Sequence, residues 1–119
     1  MSFDWRERAK DRVEDIIAAI DDIGGFLDGF SEGSFIADRR TVFAVTHLVQ
    51  NIGEAAKNLA PGIEARHPHI PWPDVRSMRE RIVHEYWTVD PHILWRVATD
   101  DLAPLRAAML AERDWLDAQ

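Results

Sequence analysis

The chain has 119 residues, of which 46% are hydrophobic and 29% are charged, and its formal net charge is −7. This length fits a single domain, 1–119, with a modest core, and the balance is typical of a folded protein. The absence of cysteine excludes disulfides, iron–sulfur clusters and thiolate zinc sites. The acidic balance argues against a general nucleic-acid coat, so any nucleic-acid function must depend on a local group of arginines.

No apolar stretch approaches the roughly 20 residues that a bilayer-spanning helix requires. The first residues run directly into charged positions, without the apolar core of a signal peptide. We therefore expect a cytoplasmic protein with no membrane association.

Helical periodicity dominates the first half of the chain. Apolar residues recur at steps of three and four in two stretches, Val13 to Phe30 and Val42 to Leu59, and each stretch predicts a long amphipathic helix. Gly29 and the Ser31–Ser34 stretch end the first helix, and Pro61-Gly62 ends the second. Gly53 lies inside the second helix, where its most direct explanation is the close approach of a neighbouring helix.

The second half predicts a loop followed by three more helices. The loop covers 61–73, with room for one helical turn. The next helix runs from Asp74 to near Trp87, because Val75, Met78, Ile82 and Tyr86 repeat at helical spacing. Asp90-Pro91 is a strong helix start, and Pro104 fits the first turn of a last helix that ends near Trp115. With no strand pattern in view, we expect an all-α antiparallel bundle of about four to five helices that self-associates.

The segment 72–86 carries the residues best suited to chemistry. It holds Arg76, Arg79, Arg81, His84 and the single tyrosine of the chain, Tyr86. A histidine can move protons near neutral pH, and a fixed cation can stabilise the charge that grows on a phosphate during RNA cleavage. Because the 2′-hydroxyl of RNA can act as the nucleophile, the protein need not supply one.

Spacing alone leaves a plainer interpretation open. On an ideal helix Arg79 and His84 point about 140° apart, whereas Arg76, Glu80 and His84 share a face at steps of four. Such residues are commonly a solvated helix face, with Arg76–Glu80 as a weak ion pair. An Arg79–His84 site requires a long arginine reach, a helix end near His84, or a second subunit whose matching helix faces the first.

A resemblance favours the catalytic interpretation. The stretch 78–86 is similar to the Arg-x4-His-x-Tyr signature of HepT toxins in the HEPN superfamily. The likeness continues upstream to Trp72, downstream through Asp101-Leu102, and far away in Ile52-Gly53-Glu54-Ala55. Phe35 and Asp38 also stand where that family usually has Phe and Asp. The likeness covers most of the chain in the right order.

The resemblance implies a fold, an activity and a partner. Members are dimeric, metal-independent endoribonuclease toxins of type VII toxin–antitoxin systems, and they need no cofactor. Carried over, this makes Arg79 the residue that stabilises the transition state and His84 the residue that transfers protons, with Arg76, Glu80, Arg81 and Glu54 in support. The minimal nucleotidyltransferase antitoxin of such systems, of the MntA type, modifies with AMP the tyrosine that matches Tyr86.

Several alternatives accompany this interpretation. Glu80 stands where the family often has Asn, and an acid there can repel RNA, which favours a non-catalytic subunit that docks a nucleotide or a nucleotidyltransferase. A purely structural helical dimer is a third possibility. Glu54 also fits an ordinary solvated stripe, and His67-x-His69 fits a plain loop better than a metal site. No glycine-rich phosphate loop is present, so we do not expect ATP binding by this chain alone.

Overall fold

The structure is a computed structural model that describes residues 4–84 and 88–119, with His84 described by its backbone. Helices predominate in these residues, and the two strands are two residues long each. The helices are Trp5–Leu27 (α1), Glu32–Ala37 (α2), Arg39–Ala56 (α3), Ile63–Arg66 (α4), Trp72–Arg76 (α5), Met78–Ile82 (α6), Pro91–Arg96 (α7) and Leu102–Asp117 (α8). The strands are Val83–His84 (β1) and Thr88–Val89 (β2), and Val97–Asp101 forms a π-helical segment that joins α7 to α8. The all-α class is confirmed.

Three long helices form the frame, because α1 packs against both α3 and α8. Ion pairs along the α1–α8 contact show that these two helices are antiparallel, since the residue numbers rise along α1 as they fall along α8. The pairs are Lys10–Asp117 at 2.7 Å, Glu14–Arg113 at 3.4 Å and Asp21–Arg106 at 2.7 Å. Within residues 4–84 and 88–119, no helix has the length and apolar character of a membrane span.

The core includes the apolar stripes that the sequence predicts, together with buried residues of the shorter helices and of α8. Most of their side chains are buried, and the stripe ends at Leu27, Phe30 and Leu59 are partly buried against the same core. The buried stripe residues are Val13, Ile16, Ile20, Ile23, Val42, Val45, Val49, Ile52, Ala56, Val75, Met78 and Ile82. The expected close approach at Gly53 is present, because a Cβ atom there would lie 3.5 Å from the Val75 carbonyl oxygen and 3.7 Å from the Met78 Cβ, although these ordinary contact distances leave room for alanine.

The Ser31–Ser34 stretch begins a helix, although the sequence pattern predicts only an end. Ser31 and Ser34 form a reciprocal capping box at the start of α2, in which the Ser31 hydroxyl accepts from the Ser34 N–H and the Ser34 hydroxyl accepts from the Ser31 N–H. Asp38 then caps α3 by accepting from the Thr41 N–H at 3.2 Å. The short α2 places Phe35 against Trp95 of α7, with ring centroids 5.4 Å apart.

The prediction of one helix from Asp74 to near Trp87 is wrong. Ser77 interrupts it with φ −106° and ψ 23°, and its hydroxyl donates to the Pro73 carbonyl at 2.7 Å, a local bond that competes with a straight helix. α6 then ends at Ile82, whose carbonyl accepts from the Asp90 N–H at 2.9 Å. The apolar period of three and four continues across both interruptions, which explains why the pattern does not show them.

A short antiparallel ladder, which the sequence pattern does not predict, follows α6. Val83 lies opposite Val89 and His84 lies opposite Thr88. Asp90 then accepts from the N–H groups of His92 and Ile93, and Pro91 is the first residue of α7, as the Asp-Pro signal predicts.

The π-helical segment at 97–101 precedes Pro104, which lies in the first turn of α8 as expected. Proline has no N–H to donate to the carbonyl four residues earlier, so regular α-helical bonding is interrupted here. This irregular turn carries Asp100 and Asp101 toward α6, where Asp101 meets Arg81.

Candidate active site

Arg79 and His84 flank the end of α6. Arg79 is the second residue of that helix and is half-buried, whereas the backbone of His84 belongs to β1. Since the helix ends at Ile82, the 140° separation expected on an ideal helix does not apply to this pair. A helix end near His84 is one of the conditions that a joint Arg79–His84 site requires, and the structure meets it.

The expected common face of Arg76, Glu80 and His84 is absent. Arg76 ends α5, Glu80 lies in α6 beyond the Ser77 break, and His84 lies in a strand. Equal spacing by four residues places side chains on one face only within an uninterrupted helix.

Arg76 is paired with Glu64 of α4 and not with Glu80, so the expected i,i+4 pair is wrong. The Arg76 guanidinium also lies over the Trp72 ring, 5.9 Å from its centroid. The hydrogen bond from Arg76 lowers the pKa of the Glu64 carboxyl below its ordinary value. Both side chains are substantially exposed, so this contact leaves the guanidinium accessible to an incoming phosphate.

Arg81 is paired with Asp101 at 3.3 Å, and both side chains are more than a third exposed. A cavity of about 220 Å³ adjoins the pair, and its lining includes two further carboxylates, Asp74 and Asp100. The acidic surroundings offset the charge of Arg81. Arg81 therefore lies beside three carboxylates, its partner Asp101 and the two others that line the cavity.

The two acidic residues among the site candidates lie in different places. Glu80 is exposed on α6, and within the part of the chain that the structure describes it has no ion-pair partner. Glu54 is paired with Lys57 at 3.0 Å and lines a groove between α1 and α3, together with Arg12 and Asp15. The structure therefore places Glu54 in an exposed ion pair on its own helix.

Tyr86 lies outside the described residues, as does Trp87, the expected end of the third helix. The roles of His84 and Tyr86 come from the sequence resemblance, and the backbone ladder between β1 and β2 fixes where this segment joins the fold.

His67 and His69 are not arranged as a paired metal site. The His67 ring is buried and its Nε2 lies 3.1 Å from Glu112, while the two imidazole centroids are 6.4 Å apart. In residues 4–84 and 88–119, no three His, Asp or Glu side chains are grouped as metal ligands would be. His67 instead belongs to a buried network with Arg66 and Glu112, which sequence spacing could not reveal because 46 residues separate Arg66 from Glu112.

Comparison with known proteins gives a consistent result. Residues 16–111 match a family model described as Ribonuclease HepT-like. A protein of Thermococcus cleftensis named "Probable ribonuclease HepT" is 37% identical over 97 residues, which are 82% of this chain and 88% of that protein. A candidate RNase of Methanocaldococcus jannaschii is 30% identical over 92 residues, 77% of this chain and 79% of the relative.

A candidate RNase of Caldanaerobacter subterraneus is 31% identical over 79 residues, which are 66% of this chain and 70% of the relative. No solved structure matches the chain with significance.

Proposed function

This chain belongs to the ribonuclease HepT-like family, and we propose that it is an endoribonuclease toxin whose catalytic residues are Arg79 and His84. The observation that carries the proposal is the ending of α6 at Ile82, between the two motif residues. A continuous helix would hold them on different faces, whereas a helix end followed by a strand removes that obstacle. The family relationship supplies the class of substrate, RNA.

The chemistry follows from the residue types. His84 takes the proton from the 2′-hydroxyl, whose oxygen attacks the adjacent phosphorus, and a protonated imidazole gives a proton to the departing 5′-oxygen. Arg79 stabilises the negative charge that grows on the phosphoryl oxygens. No group on the protein need become covalently attached, and the cleavage proceeds without a metal ion.

Two copies of the chain would supply both proton-transfer roles at once. In a symmetric dimer with the two motif segments facing each other, the two His84 residues can serve as base and acid in one cleft. Arg76 and Arg81 would add positive charge at its edges, because their carboxylate partners are exposed and can be replaced by phosphate.

Cleavage of RNA by the purified protein tests the nuclease proposal. The wild type should cut RNA in the presence of a chelator, and Arg79→Ala and His84→Ala should each lower the rate by about 10²- to 10³-fold. His92→Gln is a matched control, since His92 is exposed and bonded to Glu32 of α2. The proposal fails if both motif variants, with unchanged thermal unfolding, cut RNA as fast as the wild type.

A differently tagged heterodimer tests the composite site. One wild-type subunit paired with one His84→Ala subunit should lose nearly all activity if the two histidines share one cleft. A heterodimer that keeps half the activity would show instead that each subunit carries an independent site.

Control by a nucleotidyltransferase completes the proposal. Tyr86 lies two residues from His84, so an attached AMP would add bulk and negative charge beside the arginines and block RNA. Incubation with a minimal nucleotidyltransferase of the MntA type, together with ATP, should add AMP to the wild type and not to Tyr86→Phe. Detection of the adduct on another residue would contradict the assignment.

A second candidate function rests on Glu80, which follows the motif arginine directly and whose carboxylate is exposed and has no ion-pair partner among the described residues. In this alternative the chain is a non-catalytic subunit that docks a nucleotide or a nucleotidyltransferase. Glu80→Asn separates the two functions. A large gain in RNA cleavage from an inactive wild type would favour the docking subunit, whereas a modest gain over an active wild type favours the nuclease.

A further inference from the structure

A cleft of about 320 Å³ lies where α3 begins, directly beside β2. Its apolar lining comprises Ile36, Val42, Phe43, Val89 and Pro91. The volume lies at the low end of the roughly 300–1,000 Å³ that is typical of small-ligand pockets. Phe43 stands out in it, because a phenylalanine that is 58% exposed buries little of its own apolar surface in this fold.

The rim of this cleft is cationic. The Arg39 guanidinium lies over the Phe43 ring, 5.6 Å from its centroid, and Arg40 follows it in the first turn of α3. Within the described residues neither arginine has a carboxylate partner. Cations at a helix N-terminus add to the partial positive charge of the helix dipole, so the pair creates a local positive potential on an acidic protein.

The cleft also adjoins the candidate active site. Thr88 lines it, and Thr88 lies directly opposite His84 in the β1–β2 ladder. Residues opposite each other in an antiparallel ladder have Cα atoms about 5 Å apart. The cleft therefore lies next to the backbone of His84.

We propose that this cleft, with Phe43 as a stacking platform and Arg39 beside it, binds one nucleobase of the RNA strand and the phosphate next to it. The inference deepens the proposed ribonuclease function by assigning a subsite to its substrate. An exposed aromatic ring accepts any base by stacking, and an adjacent arginine adds phosphate attraction and a cation–π contact.

Other grooves of the described residues are less suited to RNA. The groove between α1 and α3 is lined by Asp15, Asp22 and Glu54, which repel phosphate. The cleft near Trp5 is lined by Arg8, Arg12 and Lys57, of which Arg12 and Lys57 are paired with Asp15 and Glu54, and its lining includes no residue of α6 or of the β1–β2 ladder. The Phe43 cleft differs from both because it lies beside the β1–β2 ladder, and its lining contains Arg39 and no carboxylate.

Binding of a short single-stranded RNA with 2′-O-methyl groups tests the subsite, since this probe cannot be cleaved through the 2′-hydroxyl. Phe43→Ala should weaken its binding about 5- to 150-fold, the range for loss of one stacked base. Phe43→Trp should keep or strengthen binding. Phe26→Ala is the matched control, because Phe26 is 48% exposed and does not line the cleft.

Arg39→Gln should weaken binding and lower the slope of log affinity against log salt by about one.

The outcomes separate this inference from the proposed function. If the wild type cleaves RNA but Phe43→Ala binds the probe as tightly as Phe26→Ala, the subsite is wrong and the nuclease assignment stands. If the wild type cuts no RNA but binds the probe through Phe43, the subsite stands and the nuclease assignment fails. Failure of the wild type to bind the probe overturns the subsite. A dimer-to-monomer change on Phe43→Ala in sedimentation, with RNA affinity unchanged, would also overturn it and identify a subunit interface.

Discussion

The arginines of this molecule differ in whether the acid that pairs with them is buried or exposed. Arg66 donates to both oxygens of Glu112, at 2.9 and 2.6 Å, and lies over the Trp115 ring, 3.7 Å from its centroid. Glu112 is fully buried and is also in contact with His67. By contrast, Arg76 and Arg81 each contact one exposed carboxylate.

The difference indicates which cations can serve a substrate. A bidentate pair with a buried acid cannot exchange its partner for phosphate without leaving a charge unpaired inside the protein. An exposed pair contributes about 0–1 kcal/mol and can be exchanged readily. Arg66 therefore connects α4 to α8, whereas Arg76 and Arg81 are held by exposed carboxylates that another anion can replace.

Breaking the buried pair should have the largest effect on stability. Glu112→Ala leaves Arg66 without its partner, and such losses typically lower the free energy of unfolding by about 3–5 kcal/mol. We expect the Tm to fall by about 10 °C or more in calorimetry. Glu14→Ala is the control, because Glu14 makes a 3.4 Å exposed pair with Arg113, the residue next to Glu112. Equal Tm values for the two variants would contradict the distinction between buried and exposed pairs.

Replacing Gly53 with a larger residue should have the next largest effect on stability. Because Gly53 of α3 faces the α5–α6 junction, the substitution also tests whether the long helices position the candidate site. A Cβ there meets the Val75 carbonyl and Met78 at ordinary contact distance, so Gly53→Ala should be neutral or stabilising by up to about 1 kcal/mol. Gly53→Leu adds atoms that must displace the α5–α6 junction, with a cost of about 1–3 kcal/mol. RNA cleavage should fall with the leucine and not with the alanine, when both are assayed below their Tm. Equal activities would show that the junction does not position Arg79.

The frame could be predicted from sequence because its determinants are local and periodic. The apolar stripes of α1 and α3, the Asp90-Pro91 start of α7 and the close approach at Gly53 follow from spacing and residue type. The break at Ser77 could not be predicted, because Val75, Met78 and Ile82 keep a helical period across it. The stop at Ile82 also depends on a bond to Asp90, which spacing does not encode.

In the candidate site, too, some features could be predicted from the sequence and others could not. The resemblance to HepT toxins supplied Arg79, His84 and Tyr86, whereas spacing alone favoured a solvated helix face for His84 and a core position for Tyr86. The partners of the supporting arginines could not be predicted, since Glu64 and Asp101 reach them only through the arrangement of α4 and the π-helical segment. Ion pairs between distant segments require the fold before they can be named.

Removing the partner of Arg81 should have a moderate effect on RNA and little on stability. Asp101→Asn deletes a carboxylate beside a guanidinium that is about one-third exposed, so RNA affinity should rise at low salt, with unfolding changed by less than about 1 kcal/mol. Arg81→Gln should weaken RNA binding and lower its salt slope by about one. Fluorescence anisotropy over a range of salt concentrations measures both. Unchanged affinity in both variants would exclude Arg81 from the RNA-binding surface.

The smallest expected effect is the pH dependence of the exposed pair between Glu64 and Arg76. Arg76 lowers the pKa of Glu64 in the folded protein, so the pair stabilises the fold above the ordinary glutamate pKa, 4.5. That contribution is lost as the pH falls from there through the lowered pKa, because the carboxyl becomes protonated. A plot of Tm against pH should therefore show Glu64→Gln slightly below the wild type at pH 6–7, with the two curves converging in acid. If the difference in Tm instead widens as the pH falls, the pair between Glu64 and Arg76 does not stabilise the fold. RNA could then displace Glu64 from Arg76 without any loss of protein stability.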